Sequence, residues 1–73
     1  MNAWRSLAPK QYACAMLLRE GLADSEIALR LGISRPTVKN HLAHAYSRSG
    51  ARNRVQLALM AERGELRTNE VTA

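Results

Sequence analysis

Lys39 and Asn40, flanked by Pro36 and Ala43, are the residues of this 73-residue chain whose types and spacing could read the edge of a base pair. A lysine ammonium donates to guanine O6 or N7, an asparagine amide pairs with the adenine edge, and a proline ring or alanine methyl can touch a thymine methyl. If a helix begins after Ser34, its period of about 3.6 residues puts Arg35, Pro36, Lys39, Asn40 and Ala43 on one side. Val38, Leu42, Ala45 and Ser49 fall on the other side, towards a core, with His41 at its edge. Arg35, Thr37 and the free N–H groups at this helix start suit phosphate, because they sit at the positive end of the helix dipole. Ser25, Ser34, His44, Arg48, Arg52 and Arg54 are further phosphate candidates. Arg54 has an equal alternative: holding a carboxylate such as Glu20 or Glu26 inside the fold.

Such a reading helix needs a tight turn before it and a scaffold beneath it. Gly32 can take the left-handed conformation of a helix end, and Ser34 can accept a hydrogen bond from an unsatisfied N–H of the next helix. Upstream, Ile27 and Leu31 lie four apart on one face, with small Ala28 beside them where a crossing helix can approach, so residues 24–42 spell a helix-turn-helix. Pro9 and Gly21 bracket a first helix that buries Cys14, Leu17 and Leu18, with Tyr12 and Met16 beside them. Asn53 with Gln56 three residues on forms a capping box for a fourth, which Gly64 ends. No stretch alternates as a half-buried strand does, so the predicted class is all-α: a four-helix bundle with helices at about 9–20, 24–31, 35–49 and 53–63. Residues 1–6 read as an N-terminal arm, 7–64 as the domain, and 65–73, without periodicity or a sizeable apolar face, as a mobile tail.

Composition narrows the partners. The net charge is +5, and between Glu26 and Glu62 there is no acidic residue, while Arg30, Arg35, Lys39, Arg48, Arg52 and Arg54 all fall there. Nucleic acid is the expected partner of such a block, with a solvated basic face as the equal alternative on charge alone. The coincidence with the turn and caps favours nucleic acid, and the helix-turn-helix makes it double-stranded DNA. The longest apolar run, Tyr12 to Leu18, is too short for a membrane span, and a single cysteine excludes an intrachain disulfide, so a cytoplasmic protein is expected. Cys14 reads as a small buried hydrophobe. His41 and His44 lack a carboxylate or cysteine to complete a ligand set, so neither a metal nor another cofactor is expected. An enzyme is not expected either, since there is no phosphate loop, paired carboxylate or activated nucleophile. Leu59 and Met60 are hard to bury together with Leu57, Ala58 and Ala61 on one helix, which favours a partner surface there.

Leu22 to Ala28 (Leu-Ala-Asp-Ser-Glu-Ile-Ala), Leu31-Gly32-Ile33-Ser34, Thr37 to Leu42 (Thr-Val-Lys-Asn-His-Leu) and Arg52 to Gln56 (Arg-Asn-Arg-Val-Gln) together resemble the LuxR/GerE family of DNA-binding domains, related to the effector domains of NarL/FixJ response regulators. The likeness runs from about Leu7 to Ala61. It implies a sequence-specific transcriptional regulator with the third helix in the major groove, bases touched at Lys39, Asn40 and Ala43, and phosphate at Thr37. Arg52 and Arg54 match positions near the DNA backbone or in structural ion pairs. It also implies a homodimer through the fourth helix, with Gln56, Leu59, Met60 and Arg63 at the contact and an inverted-repeat operator. The length resembles that of the effector half standing alone, so no small-molecule ligand or built-in switch is expected.

The chain departs from the family pattern at several points. Ala8 and Ala23 replace capping Thr or Ser, with Asp24 expected to cap the second helix one residue late. Ala45, Ser49 and Ala51 are small where the family is aliphatic, and Trp4 is a candidate to fold back into that volume. Two rival readings remain: a sigma-factor DNA-binding region, which shares the Thr-Val-Lys helix start, and a small module that grips another protein such as RNA polymerase. The capped fourth helix argues against the first.

Overall fold

The computed structural model describes residues 6–69. Its four helices, α1 (Pro9–Arg19), α2 (Asp24–Leu31), α3 (Arg35–Ser49) and α4 (Arg54–Glu62), are flanked by two very short strands, β1 (Ser6–Leu7) and β2 (Arg67–Thr68). The class is all-α, and α2 and α3 span the residues expected of them.

The cap chemistry shows why the helices start where they do. Ser34 Oγ accepts from Thr37 N–H at 3.2 Å, and Asn53 Oδ1 accepts from Gln56 N–H at 2.8 Å. Gln56 reaches back, but to the N–H of Arg52 at 2.8 Å, one residue before the cap. Ala8 and Ala23 have no side-chain acceptor, so α1 and α2 keep only the returning half of a capping box: Gln11 Oε1 accepts from Ala8 N–H and Glu26 Oε1 from Ala23 N–H, each at 3.0 Å. Asp24 does not cap α2, contrary to expectation. Ala23 has the extended backbone of the cap position, and Asp24 is already in the first turn, where its carboxylate pairs with an arginine instead.

Gly32 ends α2 at φ 68°, ψ 36°, and its N–H bonds back to Leu29 O while that of Ile33 bonds to Ala28 O. A Cβ on Gly32 would meet nothing within 4 Å, so the glycine is required by backbone conformation and not by space. This turn fixes the angle between α2 and α3.

α1 lies against both α4 and α3, while α2 packs mainly on α3 through Ile27 and Ala28. Leu7, Cys14, Ile27, Val38 and Leu57 are wholly buried, and Ala45, Ser49 and Ala51 are buried as well. Buried Ser49 is satisfied locally: its Oγ accepts from Ala51 N–H at 3.2 Å and lies 3.5 Å from Tyr46 O. α3 and α4 touch each other less than either touches α1. The backfilling role considered for Trp4 lies outside the described residues.

Residues 65–69 differ from the mobile tail expected over 65–73, whose last four residues lie outside the described ones. Leu66 is 3% exposed and belongs to the core cluster. Arg67 and Thr68 then pair in parallel with Ser6 and Leu7, and Asn69 N–H donates to Leu7 O at 2.8 Å. A strand pair of this length has no alternation to read in sequence, and one isolated leucine makes no periodic face.

Candidate nucleic-acid interface

α3 presents Arg35, Pro36, Lys39, Asn40, Ala43 and His44 as an exposed face, while Val38, Leu42, Ala45 and Ser49 on the opposite side are buried. The four base-contact candidates thus share one accessible side. Arg35, Pro36 and Lys39 line one shallow concavity of this face. Thr37 is half-buried, and its hydroxyl lies 2.8 Å from Ser34 Oγ, so both hydroxyls help to build the start of the helix.

A second concavity, of about 500 Å³, brings the start of α2 next to the start of α3: Ser25, Glu26 and Arg35 line it together with Arg54. Two phosphate candidates, Ser25 and Arg35, therefore share a site at the positive end of the α2 dipole.

Arg54, the candidate with two alternative roles, is engaged within the fold. Its Nη1 lies 2.8 Å from Asp24 Oδ1 and its Nη2 donates to Leu22 O at 3.2 Å, so the guanidinium fastens the α4 start to the α2 start. The partner is Asp24 and not Glu20 or Glu26. Asp24 Oδ1 is buried and makes no well-aligned hydrogen bond, so this contact is chiefly charge against charge. Arg48 is exposed, and its Nε donates to Ser6 O at 3.0 Å. Among the described residues Arg35, Lys39 and Arg52 are exposed and make no ion pair, so their charges face solvent unneutralised.

Of the dimer candidates, Gln56, Leu59 and Arg63 are exposed, whereas Met60 is 9% exposed and belongs to the core. Met60 falls on the same side of α4 as Leu57 and Ala61, which turns it inward. Sequence reasoning missed Val55, which is 68% exposed. It lies one helical turn before Leu59 and extends the outer apolar stripe of α4; that spacing was the available signal. Gln56, Leu59, Met60 and Arg63 also line a groove of about 320 Å³ with Ser49, Gly50 and Glu65 at the end of α3.

His41 is half-buried at the core edge and His44 exposed, and no group of three metal-ligating side chains occurs among the described residues. Burial pushes the Cys14 thiol pKa up, and the nearby Asp24 charge adds to this against a smaller opposing effect of Lys10. The thiol therefore stays protonated and unreactive at neutral pH. Among the described residues no helix is long and apolar enough to cross a membrane.

Residues 5–61 match the bacterial regulatory proteins of the luxR family. Over 62 residues the chain is 43% identical to an HTH-type transcriptional regulator of Mycobacterium bovis, covering 85% of this chain and 7% of that protein. It is 42% identical over 53 residues to the two-component response regulator PprB of Pseudomonas aeruginosa, covering 73% of this chain and 19% of PprB. It is 43% identical over 49 residues to the response regulator RamR of Streptomyces coelicolor, covering 67% of this chain and 24% of RamR. The chain thus spans a small part of the length of the curated relatives it matches. No solved structure matches it. With a helix-turn-helix whose second helix presents Lys39 and Asn40 to solvent, and with this match over residues 5–61, the chain belongs to the LuxR family of DNA-binding transcriptional regulators, which is not a class of enzymes.

Proposed function

We propose that the chain binds an imperfect inverted repeat in double-stranded DNA as a homodimer, in the cytoplasm, with α3 of each subunit in the major groove. The observation that carries this reading is the exposed face of α3, where Pro36, Lys39, Asn40 and Ala43 stand together with no acidic residue between Glu26 and Glu62. Lys39 and Asn40 supply the hydrogen bonds that distinguish bases, and Pro36 and Ala43 supply apolar contact with thymine methyls. Arg35, Thr37, Ser34, Ser25, His44, Arg48 and Arg52 hold the backbone on either side. Arg54 acts through Asp24 on the α2 start, not on phosphate. The dimer forms along α4 through Val55, Leu59, Gln56 and Arg63, spacing the two reading helices about 34 Å apart, one turn of DNA.

Selection of bound sites from random duplex DNA tests the reading directly. The expected product is two half-sites of opposite orientation with centres about one helical turn apart. Unrelated single sites, or no enrichment over the input pool, would overturn it.

A further inference from the structure

We propose that the segment Leu66–Asn69 is a strap that positions Arg48 on α3 for a phosphate of the DNA backbone; this rests on the proposed role of Arg48 as a phosphate contact. The strap is anchored at Leu66, which is buried in the core. From there Arg67 and Thr68 pair with Ser6 and Leu7, and Asn69 N–H closes the pair on Leu7 O at 2.8 Å. Leu7 is wholly buried, so β1 is pinned from both sides, by the core and by the strap. β1 in turn lies against α3, and its Ser6 carbonyl accepts from Arg48 Nε at 3.0 Å.

That bond uses one of the five guanidinium N–H donors and leaves the four on the two Nη atoms for another acceptor. Arg48 is exposed and lies one turn after His44, on the flank between the outward face of α3 and its buried side. An arginine on this flank would ordinarily lose rotamer freedom on meeting a phosphate. Held beforehand by Ser6, it loses less, which is preorganisation of a contact. The strap lies beyond residue 61, where the family match ends.

The test is a double-mutant cycle on affinity for a selected operator, with Arg48→Ala, Asn69→Pro and the two combined, at a temperature where thermal melts show every variant folded. Asn69→Pro deletes the donor to Leu7 O and leaves Leu66 in place. Should it fail to fold, Leu66→Val loosens the anchor more gently in the same cycle. The expected result is that Arg48→Ala weakens binding and lowers the slope of log K against log salt by about 0.9 for each phosphate that the arginine had neutralised. Asn69→Pro should weaken binding about two- to tenfold when Arg48 is present and have no further effect when it is absent. A strap that is merely structural would weaken both backgrounds equally, and that result, or no effect in either, overturns the inference while leaving the phosphate contact standing. An unchanged affinity and salt slope in Arg48→Ala alone would instead overturn the phosphate contact, and the strap's role with it.

Discussion

Arg54 Nη1 lies 2.8 Å from Asp24 Oδ1, so the first residue of α4 is tied to the first residue of the helix-turn-helix. The link joins the helix proposed for dimerisation to the unit proposed to read DNA. It realises one of the two roles that sequence left open for Arg54, the holding of a carboxylate within the fold. Arg54→Ala leaves Asp24 Oδ1 buried without its cation, and should lower stability by about 1 kcal/mol, the upper end for a partly exposed pair. In a domain of this size that is a fall in midpoint of about 4–8 °C in thermal unfolding. Asp24→Asn should recover part of the loss in the Arg54→Ala background. At a temperature where both proteins are folded, the salt slope for DNA should match that of the parent; a drop of about one unit per subunit would return Arg54 to the phosphates.

Lys39→Ala should flatten sequence preference, because a lysine-to-guanine contact distinguishes bases whereas a phosphate contact does not. Competition between a selected operator and random duplex should show discrimination reduced by about 1–3 kcal/mol per half-site, with thermal stability unchanged, since Lys39 is exposed. Asn40→Ala should act in the same direction at a neighbouring base pair. Equal weakening on both DNAs would move Lys39 from base to backbone.

Much of this arrangement is legible in the sequence. Gly32 with Ser34, and Asn53 with Gln56, name their helix ends through local chemistry that needs no tertiary context. The helical period sorts α3 into its buried and exposed sides. What cannot be read are relations between distant segments. The partner of Arg54 depends on how α4 crosses α2, and the nearer-looking acids Glu20 and Glu26 are not the ones used. Leu66 and the β1–β2 pair join residues from opposite ends of the chain, with no local periodicity to announce them. On α4 the helical period sorts the apolar residues into a Val55–Leu59 stripe and a Leu57–Met60–Ala61 stripe, but which of the two is buried needs the direction of the core.

That division separates two kinds of failure in α4. Leu59→Glu puts a charge on an exposed residue, so the monomer should keep its thermal midpoint while sedimentation reports a dimer shifted towards monomer and the operator is bound more weakly. Val55→Asp should behave alike. Met60→Ala should instead destabilise the fold by about 2–5 kcal/mol, the range for truncating a buried methionine. Dissociation by Met60→Ala without a change in unfolding would restore Met60 to the interface.

The turn gives a further prediction. Gly32→Ala meets no steric obstacle, yet forces an L-residue to φ 68°, at a cost of about 1–2 kcal/mol. Chemical denaturation should show a lower midpoint with an unchanged slope, since the surface exposed on unfolding stays the same. Gly32→Asn, which tolerates the left-handed region better, should lie between alanine and the parent. If alanine proves neutral, the left-handed turn is not what holds α2 and α3 at their angle.

Cys14 should make stability fall at alkaline pH. Burial and the Asp24 charge raise its folded pKa above the ordinary 9.0, so the folded thiol keeps a proton that the unfolded chain releases. The folded state then binds more protons than the unfolded one, and by linkage unfolding becomes easier as pH rises past 9.0. Below that pH both states hold the proton and the contribution is flat. Cys14→Ala costs packing at every pH because Cys14 is wholly buried, so the informative quantity is the difference between parent and variant. That difference should be constant from neutral pH to about 8 and shrink above 9.0, as the parent loses the thiol's contribution and the variant has none to lose. In the same range the native thiol should label with a maleimide only as fast as the protein opens. Labelling at the rate of a free thiol under native conditions would place Cys14 outside the core and remove the basis of the pH effect.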